Sequence, residues 1–191
     1  LMRTAANPAG DEVFGTFANC AMGVTPWGTY LTCEENFHGY FGGPKEAAKD
    51  LTPAQRRYGT VPGSQWVEYW RFEERFDLSR HPNEANRFGW VVEIDPFDPT
   101  AKPVKRTALG RKRQESATCT LTKDHRVVVY MGDDARFEYI YKFVSHGKVS
   151  PNGGSAANAH LLDEGTLHVA RFDAGGRGRW LELVHGRNGI N

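Results

Sequence analysis

The sequence is poor in the patterns that mark common catalytic and metal-binding motifs. The odd count of three cysteines, Cys20, Cys33 and Cys119, argues against a disulfide framework. The cysteines include no C-x-x-C pair, which argues against a zinc ribbon or a thioredoxin-like site. One disulfide with one free thiol, or buried apolar thiols, are the alternatives. The motifs G-x-x-x-x-G-K-[ST], G-x-S-x-G and H-E-x-x-H are all missing. No two of the seven histidines have the i, i+4 spacing of helical ligands, and we expect none to bind metal.

A strong net charge and a long apolar run are also lacking. The 24 basic and 23 acidic residues leave a net charge of +1, which argues against bulk electrostatic binding of nucleic acid. No apolar run approaches the roughly 18 residues of a membrane span, so no spanning segment is predicted. The chain opens Leu1-Met2-Arg3-Thr4, without the charged-then-apolar leader of a signal peptide.

Turn residues and short alternating segments indicate an all-β fold. The 21 glycines and 10 prolines among 191 residues exceed average usage, which favours many turns and few long helices. Strands are expected where β-branched and aromatic residues alternate with polar ones. The clearest such segments are 27–33, 88–94, 126–131 and 137–143. A hairpin across the glycine-rich turn 175–178 is expected to join 167–172 to 180–184.

One short helical insertion is expected near residues 44–58. Thr52 offers an N-cap and Pro53 a first helical position, between Gly43 and Gly59. Strand groups that recur every few tens of residues are typical of propeller blades, but a sandwich also has short strands and glycine-rich turns. We therefore treat residues 1–191 as a single β domain and keep both architectures open.

Two strand ends carry candidate metal ligands. Cys33-Glu34-Glu35 ends one strand, and a thiolate beside carboxylates suits a transition metal. On a strand, Cys33 and Glu35 share one face while Glu34 lies on the other. Asp133 and Asp134 follow a later apolar strand, and adjacent carboxylates suit calcium or magnesium. The alternatives are a core thiol beside a solvated acidic turn, and an aspartate-capped turn.

A basic run leads to a third candidate. Six basic residues lie between Lys102 and Arg113, and such a run either attracts phosphate or forms a solvated loop. Glu115 follows and precedes the small residues Ser116 and Ala117, where a strand end would place a carboxylate in a cavity.

Long stretches of the chain resemble the PhoX-type alkaline phosphatases. In chain order, they are NCA at 19–21, TPWGTYLTCEEN at 25–36, WVVEIDPFDP at 90–99, RTALGR at 106–111 and VYMGDDARFEYIYKF at 129–143. The resemblance covers essentially the whole chain. It implies a partial β-propeller of about three to four blades without a closed ring, within a longer protein.

The resemblance also implies an activity and cofactors. Members of this family hydrolyse phosphate monoesters, which are small-molecule substrates, at a cluster of ferric iron (Fe3+) and calcium (Ca2+). The same resemblance implies a periplasmic or extracellular location. It therefore predicts a metal-dependent phosphatase, whose site supplies metals to neutralise and clamp the phosphoryl group.

Matching positions imply the residue roles. The metal ligands would be Cys33 as the thiolate, Glu34 or Glu35, Glu115, and the calcium candidates Asp133 and Asp134. Apart from these matched positions, a basic side chain such as Arg111 would steer the phosphate group. The family usually has His-Glu-Gly where this chain has Gln114-Glu115-Ser116. A glutamine in place of a histidine beside a ligand changes what orients that ligand.

Two alternatives of a different class remain. The first is a non-catalytic propeller fragment or a binding module on a propeller scaffold, which would bind metal weakly and expose an open sheet edge. The second is a sandwich-type binding domain without metal. Stoichiometric binding of iron together with phosphatase activity would distinguish the phosphatase from both alternatives.

Overall fold

The computed structural model describes residues 2–63 and 66–190, which form mostly β-strands with little helix. The chain divides into two compact units, a smaller one of residues 1–18 and 36–89 and a larger one of residues 19–35 and 90–191. The all-β prediction is confirmed in this coarse form, with two antiparallel sheets. The propeller, and the single domain with a short helical insertion, stay predictions.

A four-stranded antiparallel sheet opens the larger unit. Its strands, in spatial order, are β1 (Asn19–Val24), β2 (Tyr30–Glu34), β3 (Val91–Ile94) and β4 (Val104–Lys105). The inner strand β2 is buried from Leu31 to Glu34, with Cys33 paired to Val91 of β3. The end of β2 is thus held between two neighbours, which fixes the backbone from which Glu35 projects.

A five-stranded meander forms the second sheet of the larger unit. Its strands are β5 (Thr118–Leu121), β6 (Arg126–Gly132), β7 (Ile140–Lys148), β8 (Gly165–Phe172) and β9 (Gly178–Glu182). The expected hairpin is present, with Phe172 of β8 opposite Gly178 of β9. Alternation places Val127, Val129 and Met131 in the core, while Tyr130 between them is exposed.

The core of the larger unit joins the two sheets. Leu31, Cys33 and Val91 from the first sheet and Val129 and Phe143 from the second share one apolar cluster and have no exposed surface. Close approach of the backbones requires a glycine in β1. A side chain at Gly23 would collide with the carbonyl of Ala117, immediately before β5.

A buried ion-pair network crosses the same unit. Oε2 of Glu93 accepts from Arg106 Nε at 2.7 Å and pairs with Arg106 Nη2 at 2.6 Å. Its Oε1 accepts from Trp27 Nε1 at 2.9 Å and Thr29 Oγ1 at 2.5 Å. Arg106 also pairs with Asp163 at 2.6 Å. Because both Glu93 and Arg106 are almost fully buried, each charge depends on the other.

Short helices make up most of the regular structure of the smaller unit. Helix α1 (Pro53–Tyr58) begins at the Thr52–Gln55 capping box and ends at Gly59, whose φ is +71°. The 3-10 helices of this unit are Phe37–Tyr40, Lys45–Asp50, Tyr69–Arg71, Glu74–Phe76 and Glu84–Arg87. They enclose an aromatic core that includes Phe37, Phe41 and Phe88.

The larger unit has three short helical turns. They are the 3-10 helix Thr107–Leu109, α2 (Gly154–Asn158) and the 3-10 helix Ala159–Leu162. Across residues 2–63 and 66–190, every helix is too short or too polar to traverse a bilayer.

Candidate metal centre

One thiol and two carboxyl groups converge in the larger unit. Sγ of Cys20 and one carboxylate oxygen each from Glu35 and Glu115 all lie within 4.8 Å of one another. Cys20 is the second residue of β1, Glu35 follows the last residue of β2, and Glu115 precedes β5. Glu35 is buried, whereas Cys20 and Glu115 are exposed. A thiolate with two carboxylates is a donor set for a transition metal, with one side open to solvent.

Alternation along β1 directs Cys20 away from the core, on the same face as the exposed Met22 and Val24. The β1–β2 register shifts between Asn19 and Met22, so that Cys20 and Ala21 together lie opposite Cys33. Ala21 packs against the core that includes Cys33, while Cys20 is exposed.

Glu115 is positioned by an extended connector between the two sheets. The amide of Gln114 donates to the carbonyl of Glu34 at 3.2 Å, and the amide of Glu115 donates to Gly132 at 3.2 Å. The Gln114 side chain is fully buried, and its Nε2 donates to the carbonyl of Gly110 at 2.8 Å. Because successive side chains of an extended segment alternate, this anchoring turns Glu115 outward.

Negative charge accumulates at the cluster and raises the pKa of Cys20 and of Glu115. A hydrogen bond to Glu35 and the charge of that carboxylate raise the pKa of the Cys20 thiol from 9.0 to about 11, with smaller contributions from Glu115 and Asp134. Desolvation, followed by the charges of Glu35 and Asp134, raises the pKa of Glu115. A bound cation would relieve this repulsion.

Comparisons with known proteins identify the family of the chain. The family model described as alkaline phosphatase PhoX matches residues 1–191. The chain belongs to the PhoX family. This confirms the resemblance noted in the sequence.

A solved structure of Pseudomonas fluorescens PhoX in complex with vanadate, a transition state analogue, is similar to the chain, at 55% sequence identity and a TM-score of 0.94. The match covers 99% of this chain and 34% of that protein, so the chain spans about a third of its length. Among curated proteins, none matches the chain.

Two of the residues expected from the PhoX resemblance lie inside the fold. Cys33 has no exposed surface, and burial raises the pKa of its thiol to about 12. Glu34 is also fully buried, where its Oε1 lies 2.7 Å from Nζ of Lys105 and its Oε2 accepts from the amide of Trp90 at 3.1 Å. The structure therefore brings Cys20 to Glu35 and Glu115, and Cys33 and Glu34 are not among the three residues of this cluster.

The two aspartates expected to bind calcium have different surroundings. Oδ1 of Asp133 accepts from the amide of Ala135 at 3.1 Å, which is the aspartate-capped turn considered as the alternative. Asp134 is exposed, and its charge acts on both Cys20 and Glu115. Of the two, the structure associates Asp134 with the cluster.

The basic loop before Glu115 is not uniformly solvated. Lys112 is 2% exposed, and its Nζ donates to the carbonyl of Leu109 at 2.8 Å. Burial lowers the pKa of Lys112 to about 7, while the charge of Asp133 opposes this shift. Arg111 is half-buried in the same loop, and its role with phosphate stays a prediction.

Sequence reasoning missed Cys20. Alternation places Cys20 on the same exposed face of β1 as Met22 and Val24, but it cannot show that this face meets residues distant in the chain. The available signal was the stretch Asn19-Cys20-Ala21, which carries part of the resemblance to the PhoX family.

Proposed function

We propose that this chain is part of a metal-dependent phosphatase that hydrolyses phosphate monoesters. The observation that carries the proposal is the convergence of Cys20, Glu35 and Glu115 within 4.8 Å in a chain of the PhoX family. The similar P. fluorescens protein binds vanadate, a transition state analogue, and this supports the same class of reaction here.

The donor set fits the metals that the family resemblance implies. Cys20, Glu35 and Glu115 would hold ferric iron, since a thiolate with carboxylates suits a transition metal. Asp134 would contribute to calcium binding at the exposed side, since hard cations take carboxylate oxygens. Asp133 is the weaker calcium candidate because its Oδ1 already caps the Ala135 amide. Cys33 and Glu34 are set aside as ligands in this proposal.

The residues of this chain would act mainly by binding and by proton transfer. Bound metals neutralise phosphoryl charge and lower the pKa of coordinated water. On metal binding Cys20 would release its Sγ proton to solvent, and Glu35, which shares a hydrogen bond with the thiol, would bind the same metal as a carboxylate. Buried Glu35 would keep a fixed orientation, while exposed Glu115 would face the arriving ester. Arg111 would steer the anionic substrate toward the site.

The finer architecture and the location belong to the same proposal. We take the two antiparallel sheets as blades of a partial β-propeller and the protein as periplasmic or extracellular, as the family resemblance implies. A non-catalytic portion of such an enzyme is the alternative. It is favoured by one observation, that the chain spans only 34% of the P. fluorescens protein.

The proposal is tested by elemental analysis for iron and calcium and by p-nitrophenyl phosphate turnover on the same purified sample. We expect stoichiometric iron together with turnover. Iron without turnover would favour the non-catalytic alternative. A chain that takes up no iron under reconstitution would contradict the assignment of the metal ligands.

Metal uptake is expected to strengthen as pH rises. The metal-free thiol of Cys20, with its pKa raised to about 11, keeps its proton at neutral pH, so metal binding must release that proton. Below this pKa the apparent affinity should therefore increase by about tenfold per pH unit from the thiol alone. Titration with cobalt(II), followed by calorimetry at pH 6, 7 and 8, measures the slope.

A matched variant isolates the contribution of the thiol to this slope. Cys20→Asp supplies a carboxylate that is ionised over most of this range, so its affinity should depend less steeply on pH. Equal slopes for the two proteins would show that the Cys20 proton is not the one displaced.

A further inference from the structure

A cavity of about 340 Å³ in the smaller unit lies outside the metal centre. Two chain segments line it, residues 3–8 and 80–83. Its polar lining consists of side chains that can donate hydrogen bonds, namely Arg3, Thr4, Arg80, His81 and Asn83. All the ionisable side chains in the described lining are basic or imidazole groups.

Buried and local hydrogen bonds hold the two walls together. Arg87 is 2% exposed, and its Nη1 donates to Thr4 Oγ1 at 2.8 Å. Thr4 Oγ1 also accepts from the amide of Asn7 at 3.2 Å, and Asn83 Nδ2 lies 3.5 Å from the carbonyl of Arg3. The wall at residues 3–8 is thus fixed against the segment that carries Arg80 and His81.

A carboxylate outside the lining orients two of the donors. Glu74 accepts from Arg80 Nη1 at 2.9 Å and lies 3.1 Å from His81 Nε2. The hydrogen bond with His81 and the charge of Arg80 lower the pKa of Glu74, so it stays ionised. Asp77 lies 3.9 Å from Arg80 Nε. The charges of these two carboxylates equal in magnitude those of the two guanidinium groups, Arg80 and, on the opposite segment, Arg3.

We propose that this cavity is a binding site for a phosphate group. Two guanidinium groups offer forks of N–H donors that match phosphate oxygens, and hydroxyl, amide and imidazole groups complete the donor set. The remaining carboxylate charge at Glu74 and Asp77 makes the site one of modest affinity. Either inorganic phosphate or the phosphate of an ester satisfies this chemistry. The proposal stands apart from the metal centre and holds whether or not the chain is a phosphatase.

The experiment uses the Cys20→Ala chain without metal, so that the metal centre adds no phosphate binding. Inorganic phosphate and phenylphosphonate, which is not hydrolysed, are titrated separately at constant ionic strength. Calorimetry gives the affinity, and the NMR signal of the His81 ring reports the place. We expect saturable binding of inorganic phosphate with a shift of the His81 signal. If phenylphosphonate binds as well, the site also accepts phosphate esters. If only inorganic phosphate binds, the site is restricted to the free ion.

A charge-matched pair of variants distinguishes a site from general charge attraction. Arg3→Gln with Arg80→Gln should weaken phosphate binding by about tenfold or more. Arg177→Gln with Arg179→Gln removes the same charge from the exposed β8–β9 hairpin of the larger unit and should leave the affinity unchanged. Arg3→Gln alone, at an exposed residue outside helices and strands, serves if the double variant is unstable. Equal loss in both pairs, or no saturable binding by the unaltered cavity, would overturn the proposal.

Discussion

Replacing Cys20 with alanine is expected to abolish both metal binding and phosphatase turnover. Cys20 supplies the thiol of the cluster, and the two carboxyl groups that remain, Glu35 and Glu115, lack the soft ligand that selects a transition metal. Because uncatalysed hydrolysis of phosphate monoesters is extremely slow, turnover should fall by at least about 10³-fold. Elemental analysis and initial rates with p-nitrophenyl phosphate on matched samples measure the two losses.

Cys33→Ala is the matched control, because it removes the same thiol group from a different environment. Cys33 lies in the same buried cluster as Leu31 and Val91, so Cys33→Ala should lower the free energy of unfolding by about 1–2 kcal/mol. The metal content should be retained. Cys119→Ala, at a half-buried thiol of β5, should retain metal as well. Retention of metal by Cys20→Ala together with its loss in Cys33→Ala would instead restore Cys33 as the thiolate ligand.

Arg106→Ala is expected to lower the free energy of unfolding by about 3–5 kcal/mol. The substitution leaves Glu93, which is 4% exposed, without its cation, and the exposed Asp163 also loses its partner. Trp27 and Thr29 would still donate to Glu93, but two neutral donors do not replace a guanidinium. Chemical denaturation followed by tryptophan fluorescence measures the change.

An exposed ion pair provides the comparison for that loss. Arg187 pairs with Glu182 at 2.7 Å on the surface, and Arg187→Ala should change stability by only about 0.5 kcal/mol or less. Glu93→Leu combined with Arg106→Met should recover part of the loss, since the pair is then replaced by apolar groups. If Arg106→Ala lowers the free energy of unfolding no more than Arg187→Ala does, the buried ion pair stabilises the fold no more than the exposed one.

The sequence predicted where most of the strands lie, but it did not predict the residues at which they begin and end. The pattern at 126–131 matches β6 (Arg126–Gly132) almost residue for residue. The pattern at 137–143 started too early, because β7 begins at Ile140. Residues 133–139 instead form a turn closed by the amide of Asp133 and the carbonyl of Tyr139, with Phe137 at a φ of +65°. Local alternation cannot distinguish a strand start from a turn that a distant backbone contact closes.

The sequence also predicted some of the residues of the metal centre. The sequence by itself determined an all-β chain of the PhoX type, with a thiol and acidic residues at strand ends and with Glu35 and Glu115 among the candidates. The periodicity of strands and the chemistry of single residues can be recognised in short segments of sequence. The long stretches that resemble the PhoX family contain both.

Only the tertiary structure decided which thiol joins these carboxylates. Cys33 and Cys20 lie on paired strands, and the pairing leaves Cys20 on the exposed face of β1 while the core encloses Cys33. Glu34 and Glu35 are neighbours in sequence, yet Glu34 pairs internally with Lys105 and Glu35 reaches the cluster. The reason is physical, since the direction of a side chain on a strand depends on register, and register is set by pairing between segments far apart in the chain.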